Sequence, residues 1–280
     1  MSPRPDRYAV LGNPVAHSRS PFIHAEFARQ TGQAVEYGRV LCPLDGFEAA
    51  VRAFAAEGAR GCNVTVPFKF DAPRLAAHVS ARAQLAGAAN VLRFDDEGWH
   101  ADNTDGVGFV SDILANAGMT IEGARVLLVG AGGAAAGVLG PLLEQRPAAL
   151  VVANRTADKA RALVERHAAH AGRCALQAHG IQDPGTGFDL VVNASASSLG
   201  AAPPPVHARV LRPGALAVDL MYGPQADPFL RWAEHHGAIG RDGLGMLVEQ
   251  AAEAFAFWRG VRPLTAPVLQ ALRRQLDATA

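Results

Sequence analysis

The sequence predicts an α/β protein of two domains, and three observations predict it. The chain has 280 residues, which is enough for two domains of ordinary size. Segments with the apolar pattern of strands alternate with segments of helical spacing along its length. Near the middle, a wholly apolar strand leads straight into a glycine-rich turn and then a helix. We therefore expect parallel sheets with right-handed crossovers.

The composition excludes several classes of protein. With 49% apolar and 19% charged residues, the chain can bury a large core. Because 26 basic residues balance 26 acidic ones, we expect neither a nucleic-acid partner nor an anionic membrane surface. Cys42, Cys62 and Cys174 have no metal-ligand spacing, so no metal site is predicted. Reduced thiols and the lack of a signal peptide favour a cytoplasmic location.

The first third of the chain reads as strands separated by helices. Strands are predicted at 8–12, 35–41, 61–66 and 89–96, with helices at 20–32 and 45–59 between them. Gly32 and Gly58 stand where helices would end, and a turn is predicted at 96–98.

The middle of the chain repeats this alternation. Strands are predicted at 124–131, 149–155, 188–195 and 215–222, helices at 133–145 and 156–170, and a surface loop at 197–205. The charge-free stretch 126–143 nominally reaches membrane length, but its glycines and proline favour a strand, a turn and a helix.

Three further helices complete the predicted organisation. One at 105–118 joins the two halves, and two at 246–260 and 267–278 follow the second half. We predict a substrate-binding domain over 1–105, a nucleotide-binding domain over 106–243, and C-terminal helices over 244–280 that pack on the first domain. A small ligand is expected in the cleft between two such domains.

The glycine-rich turn predicts a dinucleotide site of the Rossmann type. Gly130, Ala131, Gly132, Gly133, Ala134 and Ala135 fit the pattern G-x-G-x-x-A. Gly130 allows a tight turn, and Gly132 lets the backbone approach a pyrophosphate at the helix N-terminus. A tight turn without a ligand is the alternative, but the strand before it and the helix after it favour the nucleotide site.

The end of the next strand predicts NADP as the cofactor. An NAD site usually has a carboxylate there, whereas this strand ends in Asn154, Arg155 and Thr156, with Lys159 one turn later. Arg155 can pair with a 2′-phosphate through two parallel hydrogen bonds. An ordinary exposed arginine beside a helix N-cap is the alternative.

Polar residues follow the predicted strands of the first domain. Ser18 and Ser20 precede a helix, so they could bind a carboxylate or cap that helix, and their spacing does not decide between the two. For Lys69 and Asp105, the spacing alone favours a solvated lysine and a helix cap. Only Lys69 and Lys159 are lysines among the basic residues, and lysine can release a proton where arginine cannot.

Seven motifs in order carry a family resemblance. GNPVAHSRSP, NVTVPFK, GAAN, DNTDGVG, GAGGAA, NRT and DGLGMLVEQAA together closely resemble the shikimate dehydrogenases, from about Tyr8 to the last helix. The resemblance implies a two-domain α/β enzyme that reduces 3-dehydroshikimate to shikimate with NADPH, in the pathway to aromatic amino acids.

The resemblance also implies a role for individual residues. Lys69 would be the acid–base group, beside Asp105, acting as proton donor or as charge stabiliser for the alkoxide that hydride transfer creates. The substrate carboxylate would be held by Ser18, Ser20 and Tyr222. The ring hydroxyls would be bound by Asn63, Thr65, Asn90, Asp105 and Gln250. The nicotinamide would lie against Gly243 and Met246, with Asn193 and Ala194 near the cofactor.

Some alternatives stay open at this point. They are a quinate/shikimate dehydrogenase with broader substrate or NAD use, a non-catalytic nucleotide-binding protein on this fold, and a related dehydrogenase acting on a folate or an amino acid. Ala196 departs from the family, whose members commonly carry Thr or Ser at this position or just before it, which puts fine cofactor contacts in doubt. Assembly as a homodimer is kept as an option.

Overall fold

A computed structural model describes residues 4–195 and 206–278. The chain divides into two compact units, called here the first and the second unit. The first contains residues 1–108 and 247–272, and the second contains 109–246 and 273–280. The predicted segments 1–105, 106–243 and 244–280 differ from these units chiefly at the C-terminus, where residues 273–280 group with the second unit. Whether the segments act as separate domains stays a prediction.

The first unit is built on a mixed sheet of six strands. Its strands are β1 (Asp6–Gly12), β2 (Val35–Leu41), β3 (Gly61–Val64), β4 (His78–Val79), β5 (Val91–Arg93) and β6 (His100–Asp102). They lie in the order β2-β1-β3-β5-β6-β4. β5 is antiparallel to both β3 and β6. The expectation of an all-parallel sheet is therefore wrong for this unit, because a short turn through Gly98 joins β5 to β6 where a crossover helix would be needed for parallel strands.

Helices cover both faces of this sheet. They are α1 (Ser20–Thr31), α2 (Phe47–Ala56), α3 (Ala81–Ala86) and α4 (Asp105–Ser111). Alternate residues of β1 serve the two faces: Leu11 lies in a core cluster with Phe54 of α2, whereas Tyr8 stacks on Trp258. The predicted helix 105–118 continues beyond α4 as a π-helical turn over Asp112–Asn116.

The second unit contains a parallel sheet of six strands, as predicted for a Rossmann-type fold. Its elements are β7 (Arg125–Val129), α5 (Gly133–Glu144), β8 (Ala149–Asn154), α6 (Ala157–His167), β9 (Ala175–Gly180), β10 (Phe188–Asn193), β11 (Leu211–Asp219), α7 (Asp227–His235) and β12 (Ile239–Arg241). The strand order β12-β11-β10-β7-β8-β9 reverses between β7 and β10. Ligands bind at such a switch point, at the carboxyl ends of the strands.

Two C-terminal helices follow, α8 (Leu244–Arg259) and α9 (Ala266–Asp277). Residues 247–272 of this region belong to the first unit. The stretch 126–143 forms β7, a turn and most of α5, as predicted. Among the helices of residues 4–195 and 206–278, none combines the length and apolar character that a membrane span requires. The predicted loop at 197–205 and the departure at Ala196 lie outside the described residues.

Candidate active site

Lys69 and Asp105 form a close ion pair in the first unit. Lys69 lies in a short 3₁₀ turn after β3, and Asp105 is the first residue of α4. The distance from Lys69 Nζ to Asp105 Oδ2 is 2.5 Å, and the two side chains are 16% and 5% exposed. The structure therefore brings the two predicted catalytic side chains together, with the carboxylate shielded from water and the ammonium partly accessible.

The backbone around Lys69 is held by two neighbouring segments. The N–H of Thr65 donates to the carbonyl oxygen of Leu11, and the N–H of Phe68 donates to that of Thr65. The carbonyl oxygen of Lys69 accepts from the N–H of Ala89 at 2.8 Å. A Cβ at Gly12 would clash with Thr65, so the glycine permits the close approach of the chain after β1 to the chain after β3.

Asp105 does not serve as the cap of its helix. Asn103 Oδ1 accepts from the N–H of Asp105 at 3.1 Å, and the carbonyl oxygen of Thr104 accepts from the N–H of Gly108. Three residues before Asp105, Asp102 accepts two hydrogen bonds from Arg82, at 2.7 and 2.5 Å, which anchors the turn before α4. The Asp105 carboxylate is thus left to face Lys69.

Asn90 connects Asp105 to α8. Its Nδ2 lies 2.8 Å from Asp105 Oδ1, 2.9 Å from Thr104 Oγ1 and 3.1 Å from Gln250 Oε1. Its Oδ1 accepts from the N–H of Thr104 at 2.8 Å, and the residue is 2% exposed. Gln250 comes from 160 residues further along the chain. A fully bonded, buried amide of this kind fixes the positions of its partners.

The remaining predicted substrate residues of the first unit lie along the same sheet edge. Asn63, at the end of β3, donates from Nδ2 to the carbonyl oxygen of Asn90 at 3.2 Å. Ser20 is the first residue of α1 and is 5% exposed, whereas the N-cap is Arg19. Ser18 Oγ accepts from the N–H of Ser20 at 3.3 Å. Ser20 therefore does not cap the helix, which leaves its side chain for another role.

The glycine turn of the second unit lies at the switch point of the parallel sheet. Gly130 has a φ of +116°, and a Cβ there would lie 2.9 Å from the carbonyl oxygen of Ala194. The N–H of Ala194 donates to Val129, so the ends of β7 and β10 meet. Asn193 Nδ2 donates to the buried carboxylate of Asp219 at 2.8 Å. Gly130, Asn193 and Ala194 are therefore neighbours.

The residues around this turn fit a dinucleotide carrying a 2′-phosphate. Gly132 is the N-cap of α5, and a Cβ there would meet no atom of the described residues within 4 Å. The turn Ala131–Ala134 thus leaves open space before the first N–H groups of the helix, as anion binding requires. Arg155 and Lys159 are exposed at the end of β8 and the start of α6, and Asn154 Nδ2 bonds the carbonyl oxygen of Thr156.

Gly243, Met246 and Tyr222 all belong to the second unit. The N–H of Gly243 donates to the carbonyl oxygen of Met221 at 2.8 Å, which brings Gly243 to the Tyr222 segment. Met246 is 7% exposed. The joint role of Tyr222 with the two serines, and the placement of Gly243 and Met246 against a nicotinamide, stay predictions.

Three residues that the sequence analysis missed take part in these arrangements. Thr104 stands inside the DNTDGVG motif, so its neighbours could have identified it. Asp219 ends β11, whereas the predicted strand runs on to Tyr222; a polar residue at the end of a parallel strand is a recognisable signal, but the predicted bounds concealed it. Tyr37 donates from its hydroxyl to Asn63 Oδ1 at 2.7 Å, but it lies in an edge strand 26 residues away, and no spacing rule connects the two.

Comparisons with known proteins find similarity to one family of enzymes. Three family profiles match, described as the shikimate dehydrogenase substrate binding domain (residues 10–92), shikimate / quinate 5-dehydrogenase (113–202) and the shikimate 5'-dehydrogenase C-terminal domain (243–273). The shikimate dehydrogenase (NADP(+)) of Methylibium petroleiphilum is 65% identical, over 97% of this chain and 95% of its own.

Solved structures are similar over almost the whole chain. An Ael1 enzyme from Pseudomonas putida superposes with a TM-score of 0.86 at 49% identity, covering 95% of this chain and 98% of its own. The shikimate 5-dehydrogenase of Thermus thermophilus, solved in complex with NADP(H) and shikimate, gives a TM-score of 0.84 at 33% identity, covering 96% of this chain and 99% of its own.

Proposed function

The chain belongs to the shikimate dehydrogenase family, and we propose that it catalyses the reversible, NADP-dependent reduction of 3-dehydroshikimate to shikimate. This reaction belongs to the biosynthesis of chorismate and the aromatic amino acids. The observation that carries the proposal is the Lys69–Asp105 ion pair, held by Asn90 and Gln250 in the same unit. The relative from Methylibium petroleiphilum, named for the same activity, supports it.

Lys69 is assigned the acid–base role in this proposal. NADPH supplies the hydride when it is bound, and the ketone oxygen that becomes an alkoxide then needs a proton. The Lys69 ammonium can stabilise the developing negative charge and deliver that proton. Asp105 accepts from Lys69 on one carboxylate oxygen and from Asn90 on the other, so its orientation is fixed and it holds the ammonium in place.

The substrate would be recognised at its two ends. Ser18 and Ser20 lie at the N-terminus of α1, where the helix dipole favours a carboxylate. With Tyr222 they are assigned to the carboxylate. The ring hydroxyls are assigned to Asn63, Thr65, Asn90, Asp105 and Gln250.

The cofactor site is assigned to the residues around the glycine turn and the end of β8. Gly130–Ala134 would hold the pyrophosphate, and Asn154, Arg155, Thr156 and Lys159 the 2′-phosphate side. Asn193, Ala194, Gly243 and Met246 are assigned to the nicotinamide side. A cytoplasmic location, the absence of a nucleic-acid partner and assembly as a homodimer stay predictions from the sequence.

An absorbance assay of reduced nicotinamide tests the function. Shikimate and quinate are each offered with NADP and with NAD. We expect the highest kcat/KM for shikimate with NADP. Equal or higher values for quinate or NAD would favour the broader quinate/shikimate enzyme, and no turnover with any pair would favour a non-catalytic protein.

The same assay tests the cofactor assignment through Arg155→Ala. Losing a bidentate charged contact to the 2′-phosphate should lower the preference for NADP over NAD by roughly tenfold or more. Arg173→Ala, at another exposed position of the second unit, is the matched control. An unchanged preference in Arg155→Ala would refute the role of Arg155.

A further inference from the structure

The hydroxyl of Tyr37 contacts a residue of the proposed substrate site. It donates to Asn63 Oδ1 at 2.7 Å. Asn63 is proposed to bind the ring hydroxyls of the substrate. One phenol oxygen of the edge strand β2 therefore restrains a side chain that would recognise the substrate.

The chemistry of the partners fixes the direction of these bonds. The carbonyl oxygen of Asn90 can only accept, so the amide nitrogen of Asn63 must face it, at 3.2 Å. Oδ1 of Asn63 is then turned toward Tyr37, whose single proton it accepts. Without the Tyr37 hydroxyl, the Asn63 amide would lose this restraint.

Aromatic packing holds the Tyr37 ring in place. The ring stacks on that of His24, with centroids 4.2 Å apart and an interplanar angle of 11°, and lies against Trp258 at 6.3 Å. Trp258 is itself fixed by a hydrogen bond from its indole nitrogen to the carbonyl oxygen of Leu92. His24 is completely buried. The tyrosine ring is therefore positioned by packing that does not depend on its hydroxyl.

Burial also keeps both rings uncharged. It lowers the pKa of His24 to about 3, against a weaker opposing effect of Asn63. It raises the pKa of Tyr37 well above its ordinary value. The phenol accordingly keeps its proton, and remains a donor to Asn63, across the pH range of an enzyme assay.

We propose that Tyr37 is a positioning residue for substrate recognition: its hydroxyl sets the geometry of the Asn63 side chain. The inference rests on the substrate site proposed above. The bonds continue from Asn63 to the carbonyl of Asn90, and from the Asn90 side chain to Asp105. Tyr37 is the outermost member of that series, so its loss should affect substrate affinity more than the proton-transfer group.

Tyr37→Phe tests the proposal because it removes one oxygen and keeps the ring that stacks on His24. We expect the KM for shikimate to rise about tenfold, which corresponds to about one net hydrogen bond. The kcat should change by less than about twofold, and the KM for NADP should not change. Tyr8→Phe is the matched control: that ring also stacks on Trp258, at 4.6 Å, but its hydroxyl lies beside Arg259.

The variant Asn63→Ala distinguishes failure of the Tyr37 inference from failure of the proposed substrate site. If Tyr37 acts through Asn63, adding Tyr37→Phe to Asn63→Ala should raise the KM much less than it does in the unaltered chain. If Asn63→Ala raises the KM for shikimate and Tyr37→Phe alone does not, this inference fails and the proposed site stands. If Asn63→Ala has no effect either, the site itself fails. If Tyr37→Phe raised the KM for shikimate and the KM for NADP alike, a specific role for Tyr37 would be overturned. An equal rise of the KM for shikimate in Tyr8→Phe would overturn it as well.

Discussion

At the scale of single residues, Lys69 and Asp105 show how far a site can be predicted from the sequence. Their spacing favours a solvated lysine and a helix cap, whereas the structure gives a contact of 2.5 Å between side chains 36 residues apart. The side chains of Asn90 and Gln250 are hydrogen-bonded, although the two residues are 160 positions apart in the sequence. Local pattern carries no information about such contacts, so these residues were found through motif resemblance. Tyr37 lies in no motif and was missed.

The two lysines of the chain give a contrast that tests the acid–base assignment. Lys69→Ala should lower kcat by about 100-fold or more, as loss of a positioned proton donor does, while the KM for shikimate changes far less. Lys159→Ala should instead raise the KM for NADP with little effect on kcat. Steady-state kinetics with both substrates measure this. Near-normal kcat with weak binding in Lys69→Ala would reverse its role.

His24 predicts a pH dependence of stability. Its pKa is about 3 in the folded chain because of burial, and 6.5 is the ordinary value. Between these values the unfolded chain binds a proton that the folded chain excludes, so the free energy of unfolding falls as pH drops from about 6.5 toward 3. One such proton contributes up to about 1.4 kcal/mol per pH unit.

Chemical denaturation over this pH window measures the effect. His24→Phe keeps a ring against Tyr37, and we expect it to reduce the slope of unfolding free energy against pH by up to one proton. His170→Phe, at an exposed position, controls for the loss of one imidazole. An equal slope in His24→Phe and the unaltered chain would contradict the prediction.

Among the elements, those with strong local patterns were predictable. The apolar strand β7, its glycine turn and α5 all lie where the sequence indicated. The edge strands β9 and β12 were missed, because an edge strand is partly solvated and lacks a continuous apolar run. The antiparallel β5 was mistaken for part of a parallel sheet, although the turn that reverses the chain after it was recognised.

Helices α4 and α8 pack so closely that a methyl group added at their contact should lower stability and activity. A Cβ at Gly108 of α4 would lie 2.5 Å from the backbone nitrogen of Gln250 in α8. Gly108→Ala should lower the free energy of unfolding by about 1–3 kcal/mol through overpacking, although alanine favours helix. Activity should fall as well, since these helices carry Asp105 and Gln250.

Thermal or denaturant unfolding and the shikimate assay measure both effects. Gly180→Ala is the matched control, because a Cβ at that position meets no described atom within 4 Å. If Gly108→Ala proved as stable and active as Gly180→Ala, the close packing of α4 on Gln250 would not matter to the site.

At the scale of the whole molecule, the alternation of strands and helices predicted the α/β class and the Rossmann-type sheet. The motif order predicted the family over nearly the full chain, and the relatives bear this out. Strand pairing in the first unit depends on contacts between segments far apart in sequence, which local hydropathy does not encode. The short strands β4 and β6 were therefore not predicted.

Gln250 and Trp258 belong to a segment that completes the first unit from near the C-terminus. During synthesis on the ribosome, every strand of the second unit emerges before this segment does. The sheet of the first unit is therefore made early but is completed only after every strand of the second unit has been made. Until more than half of the polypeptide has followed it, this sheet lacks Trp258 beneath Gly61 and the Gln250 amide that contacts Asn90.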